Sequence, residues 1–164
     1  MNIIDISVAW AKGEVFSAKI VALISLFTLV CSLGFYLWGK TEVARAYWLP
    51  LTTAGVALVV IAIGLFSANN PRIESFQTQY KASPEAFIKA ELERTAKSER
   101  DLNTIVFRVL PLIVVACAVG VIFIKGMHWR AWLTVMMVLT SFLMVLDSNT
   151  KARNMAYRQQ LLKL

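Results

Sequence analysis

The apolar residues of this chain fall in long blocks and do not alternate with polar residues at helical or strand spacing. The first two blocks, residues 20–38 and 46–68, contain no Asp, Glu, Lys, Arg or His. As helices they would be about 29 and 35 Å long, at 1.5 Å per residue. Because the hydrocarbon core of a bilayer is about 30 Å thick, each block is long enough for one crossing.

Two further apolar blocks reach crossing length only when they include a charged residue near an end. Residues 105–124 contain Arg108 close to the start, and residues 129–148 contain Arg130 and Asp147 close to the two ends. A long basic side chain can extend its charged group to the membrane surface while its stem stays in the apolar layer. We therefore predict four transmembrane helices.

A soluble core or a signal peptide could also produce apolar blocks. Core helices of a soluble protein give apolar runs, but four of them in 164 residues leave too little amphipathic chain to cover them. A cleaved signal peptide would account only for the first block. The segment before that block, residues 1–19, carries acids as well as bases, unlike the basic leader of a signal peptide. We interpret the first block as an uncleaved anchor.

Short connections join the blocks in pairs, at residues 39–45 and 125–130, and the longer segment 69–104 separates the pairs. Short links force antiparallel neighbours. The predicted fold class is therefore all-α: one polytopic membrane domain with four transmembrane helices in two antiparallel hairpins. Segment 69–104 is a cytoplasmic helical linker in this prediction, and residues 149–164 form a C-terminal helical extension.

The distribution of basic residues predicts the orientation in the membrane. Of the 17 Lys and Arg residues, 13 lie in the leader, in the central segment up to Arg108, or in the tail. Basic residues favour the cytoplasmic side, so both termini are predicted to be cytoplasmic, with a bacterial inner membrane as the expected location. Aromatic residues, which favour the headgroup level, mark the opposite ends of the predicted spans: Tyr36, Trp38, Tyr47, Trp48, Trp129 and Trp132.

Composition agrees with a membrane protein and argues against a nucleic-acid partner. The chain is 58% hydrophobic and 16% charged, whereas soluble domains average about 45–50% and about 25%. The net charge of +7 follows from the orientation. The central segment carries acids and bases in similar numbers, and phosphate binding needs a net basic face. The partners we expect are the lipid bilayer and a protein partner or further copies of the chain.

The leader and the tail both show helical periodicity. In residues 1–19, Ile4, Val8, Ala11 and Val15 share one face, which predicts an amphipathic helix along the inner membrane surface, with a frayed segment as the alternative. In the tail we expect the basic residues to face anionic lipid and three apolar residues to be buried. These are Lys151, Arg153, Arg158 and Lys163 for the first group, and Met155, Leu161 and Leu162 for the second.

The linker contains two helix-start signals. A capping residue followed by proline occurs at positions 70–71 and 83–84, which predicts helices over 71–81 and 84–104, the second continuing into the third span. Four apolar residues on these helices are candidate contacts for a cytoplasmic partner; the alternative is that they pack the two helices onto each other or onto headgroups. They are Phe76, Tyr80, Phe87 and Leu92.

Small and hydroxyl residues recur within the spans at spacings that place them on one helix face. Such residues let membrane helices approach closely, and we predict packing within a four-helix bundle, with oligomer contacts as the second interpretation. In a channel the hydroxyl row of the first span would line the path. The candidates are Ser25, Thr28, Ser32, Gly64, Ala116 and Gly120.

Few residues suggest chemistry. His128 is the single histidine and has no carboxylate nearby in sequence, and no paired-histidine or Cys-x-x-Cys spacing occurs. Cys31 and Cys117 lie in the middles of spans, where small apolar filler is the usual role and a redox pair the alternative. Proton-coupled carriers require charged residues at mid-depth in a span, and none lies there in this sequence. We predict no catalytic residue, cofactor or metal.

The leading hypothesis is a non-enzymatic membrane protein acting through protein contacts: an accessory subunit, a scaffold, or an immunity-type protein. The alternatives are a homo-oligomeric channel or small-solute transporter component, and an enzyme acting on lipid at the outer face through His128, Arg130 and Lys125. The layout of two hairpins with an inner linker resembles, in architecture alone, the small membrane subunit of certain tripartite carriers.

Overall fold

The computed structural model describes residues 3–163, and these are almost entirely helical. The helices are α1 (Ile3–Trp38), α2 (Glu42–Ala82), α3 (Pro84–Thr104), α4 (Leu110–Phe123) and α5 (Met127–Leu161), with a π-helical turn at Ile105–Val109 joining α3 to α4. Four stretches are long and apolar enough to cross a membrane: α1, α2, α3 continued through α4, and α5. The all-helical prediction and the four helices of crossing length are confirmed.

Helix α1 packs against α2 along most of its length, and the two run in opposite directions. Ser25 of α1 lies beside Gly55 of α2, and Ser32 lies beside Trp48. Helix α5 packs against both of them and against α4. Within the described part of the chain, α4 contacts α5 and the π-helical turn and does not reach α1 or α2. Helix α4 is therefore the peripheral member of the apolar half.

The predicted helix start at Pro71 is wrong, because α2 continues through this proline to Ala82. Proline lacks an N–H, so the carbonyl of Ser67 loses its usual helical partner. The continuation places Phe76 in the interior, where it is 2% exposed. Burial of a large aromatic ring contributes about 2 kcal/mol, which helps to offset the lost hydrogen bond.

The second linker helix does continue into the third apolar block, as predicted, but through a change of helix type. Pro111 removes the N–H that would have bonded the Phe107 carbonyl, and the helix widens just before it. In the π-helical turn the N–H of Leu110 bonds the carbonyl of Ile105, five residues earlier. Such turns accommodate a break in the regular hydrogen-bond ladder without ending the helix.

The leader does not lie apart along a surface, which corrects the prediction for residues 1–19. It is the first half of a continuous α1, and Ser7, Trp10 and Glu14 are buried against other helices. The stripe that is buried mixes polar and apolar side chains, so an amphipathicity argument based on apolar residues alone did not detect it. Residues 1, 2 and 164, with the parts of the leader and tail predictions that fall on them, lie outside the described residues.

The molecule thus has two unlike ends. Four segments form what we call the polar end: the start of α1 (3–19), the end of α2 (69–82), α3, and the end of α5 (149–161). Its core contains Trp10, Phe76, Phe87, Tyr157 and Leu161. The remaining, apolar half has a small core of its own around Val21, Leu58 and Ala62.

Candidate functional site

The most elaborate arrangement of polar side chains lies inside the polar end, around Tyr157. Its members come from three helices. On each helix the buried residues recur every three or four positions, which places them on one face. We call this set the Tyr157 network: Ser7, Trp10, Glu14 and Ser17 of α1, Glu91, Arg94 and Thr95 of α3, and Arg153, Asn154 and Tyr157 of α5.

The hydroxyl of Tyr157 lies between two helices. It is 2.9 Å from Oε2 of Glu91 and 2.8 Å from Oγ of Ser7. A hydroxyl has one proton, and the carboxylate is acceptor-only, so Tyr157 donates to Glu91. The Ser7 hydroxyl, its second neighbour, donates to the carbonyl of Ile3 at 2.9 Å. Burial raises the pKa of Tyr157, and the charge of Glu91 raises it further, while the hydrogen bond to Ser7 lowers it. Tyr157 therefore stays protonated and acts as a donor.

Glu91 is 6% exposed and is held by a forked ion pair. Arg94 donates from Nε to Oε1 at 2.8 Å and from Nη2 to Oε2 at 2.6 Å, the bidentate geometry that Arg provides. The same guanidinium lies 4.1 Å from the ring centroid of Trp10, close enough for a cation–π interaction. Trp10 in turn stacks on Tyr157, with ring centroids 5.4 Å apart. One acid thus links α1, α3 and α5.

A second buried acid joins the two ends of the chain. Glu14, which is 2% exposed, accepts from Nε of Arg153 at 3.1 Å. Arg153 also donates from Nη2 to the Ser17 hydroxyl at 2.8 Å. These partners are 139 and 136 residues apart in sequence. A third pair, Arg158 and Glu99 at 2.7 Å, joins α5 to α3 in a more exposed position.

Asn154 completes the contact between α5 and α3. Its Nδ2 donates to the carbonyl of Thr95 at 2.9 Å, and both residues are fully buried. Two buried polar atoms of the network, Asn154 Oδ1 and Trp10 Nε1, have no hydrogen-bond partner among the described residues. Nearby, burial and the neighbouring charge of Arg94 lower the pKa of Arg72. The network joins helices through the hydrogen bonds of Tyr157 to Glu91, of Arg153 to Glu14 and of Asn154 to Thr95.

The four apolar candidates for partner contact lie within or beside this core. Phe76 and Phe87 are 2% and 3% exposed and meet edge to face, with ring centroids 5.5 Å apart. Tyr80 lies 5.8 Å from Phe87, and Leu92 is a partly buried neighbour of the cluster. This placement agrees with the interpretation that these residues pack the linker helices together. Their role in docking stays a prediction.

The hydroxyl row of α1 bonds mainly to the backbone. Ser25 donates to the carbonyl of Gly55 at 2.9 Å, and Ser32 lies 2.5 Å from the carbonyl of Trp48 and 2.7 Å from the Thr52 hydroxyl. Thr28 donates to a carbonyl of its own helix, that of Ile24, at 2.8 Å. The serines therefore join α1 to α2, and the role of this row in a channel of several copies stays a prediction.

The small residues differ in what surrounds them. A Cβ on Gly120 would lie 2.8 Å from a methyl of Leu133, so α4 and α5 are close there, whereas a Cβ on Gly64 would meet open space. Ala116 is exposed. Between two helices, the tightest contact of this kind lies at Gly55, where a Cβ would be 2.6 Å from Leu29. Sequence spacing did not single out Gly55, because it has no small partner four residues away.

The outer candidates His128, Arg130 and Lys125 lie just after α4 and in the first turn of α5, and their role in lipid chemistry stays a prediction. His128 is exposed, and Arg130 donates from Nε to the carbonyl of Val121 at 3.1 Å. Cys31 and Cys117 are free thiols. Among residues 3–163, no three side chains of His, Cys, Asp or Glu come together in a way that could hold a metal ion.

The tail prediction needs correction in its details. Arg153 and Arg158 form ion pairs with acids of the polar end and are not simply turned toward lipid. Leu161 is buried as expected, but Met155 and Leu162 are exposed. The buried polar residues Asn154 and Tyr157 were missed. Their spacing from Leu161 along one helix face was the available signal.

Comparison of the chain with protein-family models, with curated proteins and with solved structures finds no match, so its function is inferred from this geometry.

Proposed function

We propose that the chain is a multi-pass protein of the bacterial cytoplasmic membrane that works through protein contacts made by its polar end. In this proposal it spans the bilayer as two antiparallel hairpins, with both termini and the polar end in the cytoplasm. It would serve as an accessory subunit, a scaffold, or an immunity-type protein, and it carries out no chemistry itself.

The distribution of exposed residues supports the membrane part of the proposal. Large apolar side chains remain exposed around the apolar half, for example Phe27 at 69% and Ile122 at 73%. Water disfavours such a continuous apolar surface, whereas hydrocarbon accepts it. The excess of basic residues at the polar end supports the cytoplasmic orientation, since Lys and Arg favour that side.

The bracing of the polar end is the observation that carries the contact role. Loops that only connect spans need no buried acids, yet Glu14 and Glu91 are both buried and paired with arginines. The two acids also join helices, because Glu14 accepts from Arg153 of α5 and Glu91 accepts from Tyr157 of α5. The outward face of α3 bears the exposed charges of Lys89, Glu93 and Lys97. A rigid charged face of this kind suits recognition of a protein partner.

Single cysteines test the orientation in a chain in which Cys31 and Cys117 are replaced by alanine. Lys40→Cys and Lys125→Cys should react with a membrane-impermeant maleimide in intact spheroplasts. Ser98→Cys and Lys163→Cys should react only after the membrane is opened. Labelling of Ser98→Cys in intact spheroplasts would contradict the orientation.

The contact role is tested by purification from the native host in mild detergent. We expect one protein to copurify in fixed stoichiometry and to be lost from the double variant Lys89→Glu/Lys97→Glu. The matched control, Lys40→Glu/Lys125→Glu, reverses two charges at the opposite end and should retain it. Recovery of a bare chain in several detergents, with or without cross-linking, counts against the proposal.

A further inference from the structure

A narrow cavity opens between α1, α2 and α5 in the apolar half, reaching the end of the spans opposite the polar end. Its volume is about 320 Å³. Its wall runs from Phe35 and Tyr47 at one end to Ile24, Leu58 and Phe142 at the other. It exists because α5 packs closely on α1 and α2 nearer the polar end, around Val21 and Ala62, and leaves a gap farther along.

The lining of the cavity offers an occupant little to bind except apolar surface. Tyr47 carries a hydroxyl at one end of the cavity, and two threonines line its wall, Thr28 and Thr134. Each already donates to a carbonyl of its own helix, Thr28 to Ile24 at 2.8 Å and Thr134 to Arg130 at 2.8 Å. Because water in a cavity needs two or more polar partners, this space does not suit water. It suits a hydrocarbon.

The dimensions select one kind of hydrocarbon. From Tyr47 to Leu58 the wall of α2 is about 16 Å long at 1.5 Å per residue, which is about half of a bilayer core. A volume of about 320 Å³ over this length suits a thin, extended hydrocarbon chain. A helix with side chains, about 10 Å across, would occupy about 1,300 Å³ over the same length. A whole transmembrane helix therefore does not fit.

We propose that this cavity binds one acyl chain of a phospholipid from the leaflet opposite the polar end. The proposal rests on the bilayer location proposed above. Tyr47 lines the end of the cavity at the predicted headgroup level, where tyrosine is favoured and its hydroxyl can meet the ester region of the same lipid. The lipid would fill the gap between the α1–α2 pair and α5 and so support their packing.

The test uses the full chain in vesicles of phosphatidylethanolamine and phosphatidylglycerol that contain a phospholipid with a diazirine in one acyl chain. After illumination, labelled positions are read by peptide mass spectrometry. We expect the partly buried cavity residues Leu51 and Leu139 to be labelled more than Leu112 and Val115 of α4, although these are more exposed. Labelling that simply follows exposure over all spans would overturn the proposal, since ordinary boundary lipid gives that result.

Variants test whether occupancy of the cavity causes the labelling. Ala54→Phe places a ring in the cavity and should remove most of the label there, whereas Ala116→Phe on the exposed face of α4 should leave it unchanged. Val138→Phe at the rim, where the side chain is 62% exposed, is a second filling variant that needs no repacking. Unchanged cavity labelling in both filling variants overturns the proposal.

Two further outcomes separate this inference from the proposed function. In one outcome the cavity is unlabelled and Val138→Cys chains form disulfide-linked dimers. This result assigns the space to a second copy of the chain; it overturns acyl binding but leaves the proposed function standing. Failure of the chain to float with the vesicles overturns the membrane location itself, and with it the function proposed above.

Discussion

Tyr157 shows how a single hydroxyl can hold three helices together. It contacts a carboxylate from α3 and a hydroxyl from α1, and its ring stacks on Trp10. Buried polar groups are costly unless they are bonded, so each member of this set depends on the others. The consequence is that small changes here should have measurable effects on the polar end while leaving the apolar half intact.

Replacement of Tyr157 by phenylalanine should change the pH dependence of stability. Burial raises the pKa of Tyr157 above the value of about 10 for an exposed tyrosine. The folded chain therefore holds this proton more tightly than the unfolded chain. The resulting stabilisation is fully present below about pH 10 and is lost as the pH rises further.

Thermal unfolding in detergent, followed by circular dichroism from about pH 8 to about pH 11, checks this. Tyr157→Phe should lose about 1 kcal/mol at neutral pH and then show a shallower decline in alkali than the unaltered chain. Tyr80→Phe is the control, since the Tyr80 hydroxyl forms no hydrogen bond among the described residues. An identical alkaline decline in Tyr157→Phe and the unaltered chain would refute the argument.

At the scale of elements, the α1–α2 pair is held by close approach and by two serines. Hydrocarbon gives no hydrophobic drive between helices, so backbone proximity and interhelical hydrogen bonds must supply the association. Gly55 allows close approach and a hydrogen bond at one position. Leu29 packs where a side chain on residue 55 would lie, and the carbonyl of Gly55 accepts from Ser25. Gly64, nine residues on, faces open space.

Alanine at these two glycines should therefore have opposite effects. Gly55→Ala forces Leu29 to move and should lower the free energy of unfolding by about 1–3 kcal/mol, the usual cost of overpacking. Gly64→Ala should be neutral or slightly stabilising, because alanine favours helices by up to about 1 kcal/mol. Steric trapping or thermal unfolding in micelles measures both, and equal stability of the two variants would show that the α1–α2 contact is looser than described.

At the scale of the whole molecule, the polar end couples segments from the beginning, middle and end of the chain. The Glu14–Arg153 pair joins residues 139 apart. The carboxylate is almost fully buried and the guanidinium is partly exposed, so loss of one partner leaves a poorly hydrated charge. The polar end should therefore unfold as one unit.

Exchange of these two charges tests that coupling. Glu14→Arg and Arg153→Glu alone should each destabilise the polar end by about 3 kcal/mol, and the double exchange should recover most of the loss. Reversal of the charges of Glu85 and Lys89, which are exposed and form no ion pair among the described residues, is the control and should change stability by less than about 0.5 kcal/mol. Protection of amides in α1 and α5 against hydrogen exchange gives the readout, and additive losses in the double exchange would argue against a direct pair.

Local composition was enough to predict the helical class and the four crossing-length helices, because a span requires only sufficient length and the absence of charge. The continuation of α3 into α4 was also readable, since the helical pattern of the linker runs directly into the third apolar block, and Pro111 changed only the type of helix at the junction. The helix start predicted at Pro71 was wrong. A proline weakens a helix locally, and whether the helix continues depends on the burial that it gains beyond that point, as at Phe76.

The Tyr157 network and the cavity, in contrast, were decided by the tertiary structure. A sequence pattern tells which side chains avoid or tolerate water, but it does not tell which of them meet. Ser7, Glu91 and Tyr157 are separated by 66 or more residues and read individually as surface positions. Their burial, and the gap left between α5 and the α1–α2 pair, follow only from the way the long helices pack together.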